Sequence, residues 1–256
     1  MNPVVALVQS DPCFGNTDKS LSDLEKQMDG FGKADIFILP EMFATGLTLD
    51  PATMYQTMDG IIVQWLKRQA ALRNALVCGT AIICEDGRYY NRLCATFPDG
   101  RVETYDKRHL FTYSGENMNF TAGDRRVIIR YAGLRIMLII CYDLRFPVFC
   151  RNRDDYDMII CVANWPVSRM LSWDVLLRAR AIENQCFVAG VNRVGDDDYC
   201  HYEGHSQFIS PYGEILAQAE IGTVQVISAA ADLEKLAHFR NKFPVGQDAD
   251  SFECFM

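Results

Sequence analysis

Ile136-Met137-Leu138-Ile139-Ile140-Cys141-Tyr142-Asp143-Leu144-Arg145-Phe146-Pro147 decides the reading of this chain: five apolar residues in succession, then a thiol, then a polar turn closed by proline. A run that is apolar on both alternations is a strand buried on both faces, as in a sheet packed between other layers. Ile36 to Leu39, Met158 to Ala163 and Phe187 to Val191 have the same character. Each is followed by polar residues, Pro40-Glu41, Asn164-Trp165-Pro166 and Asn192-Arg193, and a further strand, Val102 to Tyr105, delivers Asp106-Lys107-Arg108-His109. Ligand sites in α/β folds form where the carboxyl ends of strands meet loops. The pattern therefore offers a carboxylate, a thiol, an ammonium and two amides to one sheet edge.

Working outward, helix-period stretches alternate with these strands, which is the rhythm of a layered α/β fold. Leu21, Leu24 and Met28 form one apolar stripe, and Ile62, Trp65, Leu66 and Leu72 a second. A later helix is expected from about Met170 to Gln185, with Trp173, Leu176, Leu177 and Ala181 towards the core, and another after Asp232 carrying Leu233, Leu236 and Ala237. Between residues 75 and 105 the pattern changes to strands, punctuated by hairpin signals at Glu85-Asp86-Gly87 and Pro98-Asp99-Gly100; Ala132-Gly133 and Pro211-Tyr212-Gly213 read alike.

A chain of 256 residues with 49% hydrophobic content can bury a substantial core as one domain, so residues 1–256 are read as a single unit. The net charge of -8 comes without the clustered basic stripe that binding to nucleic acid or an anionic membrane requires, and neither partner is expected. Met1 to Ser10 reads as a short strand rather than an export signal, and no apolar run approaches the roughly 20 residues of a membrane span. The expectation is a cytoplasmic protein. In that setting most of the ten cysteines should be small buried hydrophobes: Cys78, Cys84, Cys94, Cys161 and Cys186 lie in strand-like runs, whereas Cys13, Cys150, Cys200 and Cys254 are not placed by pattern.

Cys141 differs because it stands at a sharp strand-to-helix turn, where a thiol is presented beside backbone N–H groups able to receive an oxyanion. Position alone does not separate a nucleophile from a residue that ends a buried strand. A free thiol, with a pKa of about 8.5, needs a base or a nearby cation to attack at neutral pH, and Glu41 and Lys107 supply those two chemistries. With these residues the chain resembles the nitrilase superfamily of carbon-nitrogen hydrolases. Leu39-Pro40-Glu41-Met42-Phe43 resembles the general-base motif, Tyr105-Asp106-Lys107-Arg108-His109-Leu110-Phe111 the lysine motif, and Cys141 to Pro147 the nucleophile motif. The likeness extends to Ala163-Asn164-Trp165-Pro166, Arg180-Ala181-Ile182-Glu183-Asn184-Gln185 and the segment from Gly204-His205-Ser206 to Pro211-Tyr212-Gly213, and so covers nearly the whole chain.

The resemblance implies a four-layer αββα sandwich that pairs through its sheet-flanking helices into a homodimer or a larger even-numbered homo-oligomer. It implies that Glu41 takes the proton of Cys141, that Lys107 and the N–H of Tyr142 stabilise the oxyanion, and that a thioester forms and is hydrolysed without metal or organic cofactor. Glu116 matches an additional glutamate of many members, with a role in orienting Lys107 or the substrate amide. Phe43, Tyr142 and Trp165 are expected to wall the pocket, while Asn164 and Asn192 are read as holding backbone turns. Val148 after Arg-Phe-Pro, the Asp154-Asp155-Tyr156-Asp157 segment and the stretch Lys242-Phe243-Pro244 to Gln247-Asp248-Ala249-Asp250 resemble the bacterial ω-amidase branch, which deamidates 2-oxoglutaramate and 2-oxosuccinamate. A small-molecule amide of that kind carries a free carboxylate and needs a local cation, for which Arg145 is nearest in sequence and Arg193 second. The rivals are an N-carbamoyl amine hydrolase or nitrilase using the same three residues, a metal site at Cys200-His201 and His205, for which a loop is the preferred reading, and a silent scaffold on the same fold.

Overall fold

The computed structural model describes residues 2–251, so Cys254 lies outside the described residues. Two six-stranded sheets form its centre. The first contains β1 (Val4–Gln9), β2 (Ile36–Ile38), β3 (Leu76–Glu85), β4 (Arg88–Thr96), β5 (Val102–Asp106) and β14 (Gln225–Ala230), in the order β14-β1-β2-β3-β4-β5. The second contains β6 (Ile128–Tyr131), β7 (Leu134–Ile140), β8 (Met158–Ala163), β9 (Phe187–Asn192), β12 (Gln207–Ile209) and β13 (Ile215–Gln218), in the order β13-β12-β9-β8-β7-β6. In each sheet the three central strands, β1-β2-β3 and β7-β8-β9, run parallel and the flanking strands antiparallel.

Alternation along β1 shows why the chain folds in four layers. Val5 and Leu7 enter the core shared by the two sheets, whereas Ala6 and Val8 face α1 (Thr17–Phe31) and α2 (Ile61–Arg73) on the other side. Leu21, Leu24 and Met28 of α1 and Ile62, Trp65 and Leu66 of α2 complete that outer cluster. Leu72 is 70% exposed, because in the last turn of α2 it falls outside the stripe continued by Gln69 and Ala70. After the single turns α3 (Glu116–Asn119) and α4 (Pro147–Cys150), α5 (Met170–Asn184) covers the second sheet with Trp173, Leu177 and Ala181. Gly190 of β9 permits this approach, since a Cβ there would stand 2.5 Å from a Leu177 methyl. Helix α6 (Leu233–Lys242) packs Leu236 into the same core and is capped by the Asp232 side chain, which accepts from the Lys235 N–H at 2.9 Å.

Hairpins hold the registers. Asp86 and Gly87 (φ 50° and 72°) join β3 to β4, and Ala132 and Gly133 (φ 50° and 82°) join β6 to β7, each a two-residue turn with both central residues left-handed. The segment around His201 departs from the loop expected for it: β10 (Val194–Asp196) pairs with β11 (His201–Glu203) as a separate ribbon. Among the described residues, no helix is long and apolar enough to cross a membrane.

Candidate active site

Strand β7 ends at Ile140, and the chain turns at once into a 3-10 segment, Cys141–Arg145, with Cys141 itself at φ 46°. A left-handed conformation for a residue with a Cβ costs about 1–2 kcal/mol and persists only where its surroundings fix it. Asp143 supplies that fixing and has no exposed surface. Its Oδ2 accepts from the Ile140 N–H at 2.9 Å and the Tyr105 hydroxyl at 2.7 Å; its Oδ1 accepts from the His109 N–H at 2.9 Å and lies 2.7 Å from His109 Nδ1. One carboxylate thus ties the cysteine turn to the segment that follows β5. The His109 ring in turn lies flat on Phe146, with centroids 3.7 Å apart.

The same segment carries Lys107, whose Nζ donates to Glu41 Oε1 at 2.9 Å and Glu116 Oε1 at 3.0 Å. All three side chains are buried, a combination tolerated only when charges are paired and their remaining bonds satisfied. Asn91, in the middle of β4, donates from Nδ2 to Glu41 Oε1 at 2.7 Å and to Glu116 Oε1 at 3.4 Å. Glu41 Oε2 receives the Asn164 N–H at 2.8 Å, and Glu116 Oε2 the Phe111 N–H at 2.6 Å. Burial alone would depress the Lys107 ammonium, but the charges of Glu116, Glu41 and Cys141 outweigh it and hold the group well above its ordinary range. Cys141 is half-buried, with Sγ 3.9 Å from the Asn164 carbonyl oxygen. Burial first, then the Glu41 charge, lift its thiol well above the ordinary value; Lys107 pulls the other way and loses, with Glu116 and a hydrogen bond to Glu41 adding to the lift. The resting arrangement is a neutral thiol beside a carboxylate, an ammonium and a second carboxylate.

Glu41, Lys107, Glu116 and Cys141 therefore converge, and of the residues expected to wall a pocket, Tyr142 stands closest by chain position. Its ring meets Phe111 at 4.9 Å and Phe146 at 5.1 Å. Trp165 is buried beneath Arg145, whose Cζ lies 4.9 Å from the indole, and Arg145 donates to Ser172 Oγ at 3.2 Å rather than pairing with Asp143. Phe43 does not join them. The turn at Met42 (φ 47°) sends it into the outer core against Trp65, with centroids 5.9 Å apart, in space that Gly79 leaves open: a Cβ there would stand 2.6 Å from the Phe43 ring.

Asn164 and Asn192 hold backbone: Asn164 Nδ2 donates to the Glu41 carbonyl at 3.0 Å, and Asn192 accepts the Trp165 N–H at 2.8 Å. Arg193 is spent on Asp11 and Asp197. His201 and His205 face Asp196 and Asp174, and among the described residues no three His, Cys, Asp or Glu side chains converge as metal ligands would. Sequence reasoning missed Asn91 and gave Asp143 no role of its own. The available signal for Asn91 was a polar residue inside a strand whose following neighbours, Leu93, Cys94 and Ala95, are core.

The family model for carbon-nitrogen hydrolases matches residues 4–241, and the chain belongs to that family, whose members hydrolyse carbon–nitrogen bonds. Within it, the likeness runs to the ω-amidase branch of the nitrilase superfamily. The chain is 42% identical to the omega-amidase YafV of Escherichia coli K12 over 98% of each chain, and 32% identical to the 2-oxoglutaramate amidase of Bacillus subtilis over 97% of this chain and 98% of that one. Among solved structures, XC1258 of Xanthomonas campestris, a CN-hydrolase superfamily protein with an arsenic adduct in its active site, superposes with a TM-score of 0.95 at 37% identity over 99% of both chains.

Proposed function

We propose that this enzyme is an ω-amidase that releases ammonia from the ω-amide of small 2-oxo acids, of which 2-oxoglutaramate and 2-oxosuccinamate are the candidates, through a thioester on Cys141. The observation that carries the reading is the buried Lys107, held between two carboxylates beside a cysteine on a strained turn. The names and extent of similarity of the relatives support the choice of substrate.

Because the thiol is held protonated, attack requires the proton to leave as the S–C bond forms, and Glu41 is the acceptor. Its Oε1 accepts from both Lys107 and Asn91 and its Oε2 from the Asn164 N–H alone, so Oε2 is the more basic oxygen. The tetrahedral oxyanion is stabilised by the Lys107 ammonium and by the Tyr142 N–H, which as a first-turn donor has no intrahelical partner. Glu41 returns the proton to the amide nitrogen, ammonia departs, and the thioester remains. Water, deprotonated by the same carboxylate, attacks the thioester; the acid leaves and the thiol is restored. Glu116 keeps Lys107 charged and in place. Tyr142, Arg145 and Trp165 line the substrate side. Ammonia release from 2-oxoglutaramate, set against N-carbamoyl amines and nitriles, tests the reading: activity confined to the latter two would overturn it in favour of the sister chemistries.

The same reading includes assembly. On α5, Leu171, Val175 and Ile182 are exposed along one side, a stripe of apolar surface suited to pairing with a second copy. Light scattering of the protein and of Val175→Glu checks it: a homodimer or larger even assembly is expected to fall apart in the variant, and a monomeric wild type would contradict it.

A further inference from the structure

We infer that Arg169 is the specificity-determining residue that holds the free carboxylate of the substrate, an inference that rests on the ω-amidase reading and goes beyond the assignment of Arg145. The buried cluster of Glu41, Glu116 and Lys107 carries one more negative than positive charge, so an anionic substrate is repelled unless a cation stands at the rim. The arginines in the neighbourhood are otherwise engaged. Arg92 is paired with Asp106 and Glu85, Arg180 with Glu183 and the Leu144 carbonyl, and Arg193 with Asp11, while Arg108 donates to the Gly123 carbonyl. Arg145 spends a nitrogen on Ser172 and its face on Trp165.

Arg169 is different. Its guanidinium lies over the rings of Phe111, at 5.0 Å, and Tyr113, at 5.5 Å, and among the described residues it has neither a carboxylate partner nor a hydrogen-bond acceptor. Aromatic faces orient a guanidinium while leaving its N–H edge free, which suits a carboxylate arriving in the plane. The residue is also anchored: its carbonyl accepts from Trp165 Nε1 at 2.9 Å and from Ser172 Oγ at 3.0 Å. The rings beneath it lead to the chemistry, because Phe111 touches Tyr142, the residue after the cysteine, and gives its N–H to Glu116. Arg169 therefore stands on the ring shell of the site with its hydrogen-bonding edge uncommitted.

The test is steady-state kinetics of wild type, Arg169→Gln, Arg169→Lys and Arg145→Gln with 2-oxoglutaramate, together with inhibition by the product 2-oxoglutarate as a readout of carboxylate binding alone. Arg169→Gln is expected to raise KM and the product inhibition constant together, on the order of 30-fold or more, with kcat within about threefold. Arg169→Lys should recover part of the loss. A merely structural role would lower kcat and leave product inhibition unmoved, and that result overturns the inference. So does a selective rise in KM in Arg145→Gln with none in Arg169→Gln. A wild type that turns over N-carbamoyl amines or nitriles but not 2-oxoglutaramate instead removes the ω-amidase reading on which the inference stands, and is told apart by the wild-type arm alone.

Discussion

Replacing Glu41 by Gln separates two properties of Cys141 that ordinarily move together, its acidity and its reactivity. After burial, the Glu41 charge is the largest influence raising the thiol, and a hydrogen bond between the two adds to it. Glutamine keeps the shape and removes the charge, so the thiol becomes more acidic. Turnover nevertheless falls, because the group that accepts the proton is gone. Loss of a positioned general base costs about 10²–10⁴-fold in rate, or about 2.7–5.4 kcal/mol at 1.36 kcal/mol per decade. The fold should tolerate the change: Lys107 retains Glu116 at 3.0 Å, which converts a cluster of net charge -1 into a neutral pair. The assays are ammonia release and the pH dependence of alkylation at Cys141. Peptide mapping is needed to isolate that signal, since Cys13, Cys84 and Cys200 are also partly accessible. A variant that turns over within tenfold of wild type, or whose Cys141 thiol titrates higher than before, refutes the reasoning.

Two further outcomes follow from the same charges. Lys107→Gln leaves the buried Glu41 and Glu116 carboxylates without their cation, so the protein should lose about 3–5 kcal/mol of stability as well as activity, measured by chemical denaturation; unchanged stability would show that the cluster is not held by its ion pairs. Far from the site, Asp157 is nearly buried: burial favours its neutral form, but hydrogen bonds and charge from Arg135 and Arg240 outweigh that and hold its carboxyl below the usual range. Its folded-state pKa is depressed, so its contribution is complete at neutral pH and is lost as pH falls below about 4 towards the folded value. Melting temperature should drop across that window, and Asp157→Asn should start lower and drop less; an equally steep fall in the variant would assign the acid sensitivity elsewhere.

The strands and their polar ends were legible because burial on both faces leaves an unbroken apolar run, and the polar residue that breaks each run is where the backbone emerges. Glu41 and Cys141 stand out in this way; Lys107 follows β5, whose Val102-Glu103-Thr104-Tyr105-Asp106 is polar in part and only half-buried, and is picked out instead by the cation a thiol needs and by the likeness of its segment to the lysine motif. Phe43, expected on the pocket wall, stands two residues from Glu41 but does not share its direction, because the left-handed Met42 turns the chain between them. Leu72 is apolar but lies off the buried stripe, which the last turns of α2 continue with Gln69 and Ala70, so residue type alone points to the wrong side of the helix. Asn91 lies on a strand that carries none of the quoted motifs, and its importance arises only when β4 lies beside β5 and places its amide on two carboxylates from other segments. Asp143 was in view as part of the cysteine segment, yet three of its four contacts reach across to Tyr105 and His109, a tertiary fact that no spacing encodes.

The central claim is that Cys141 makes and breaks the bond to the acyl group. Cys141→Ala, assayed for ammonia release from 2-oxoglutaramate beside the wild type and checked for an unchanged melting temperature, should lose at least about 10³-fold in turnover while remaining folded. A folded Cys141→Ala protein that still releases ammonia at a tenth or more of the wild-type rate would contradict the account.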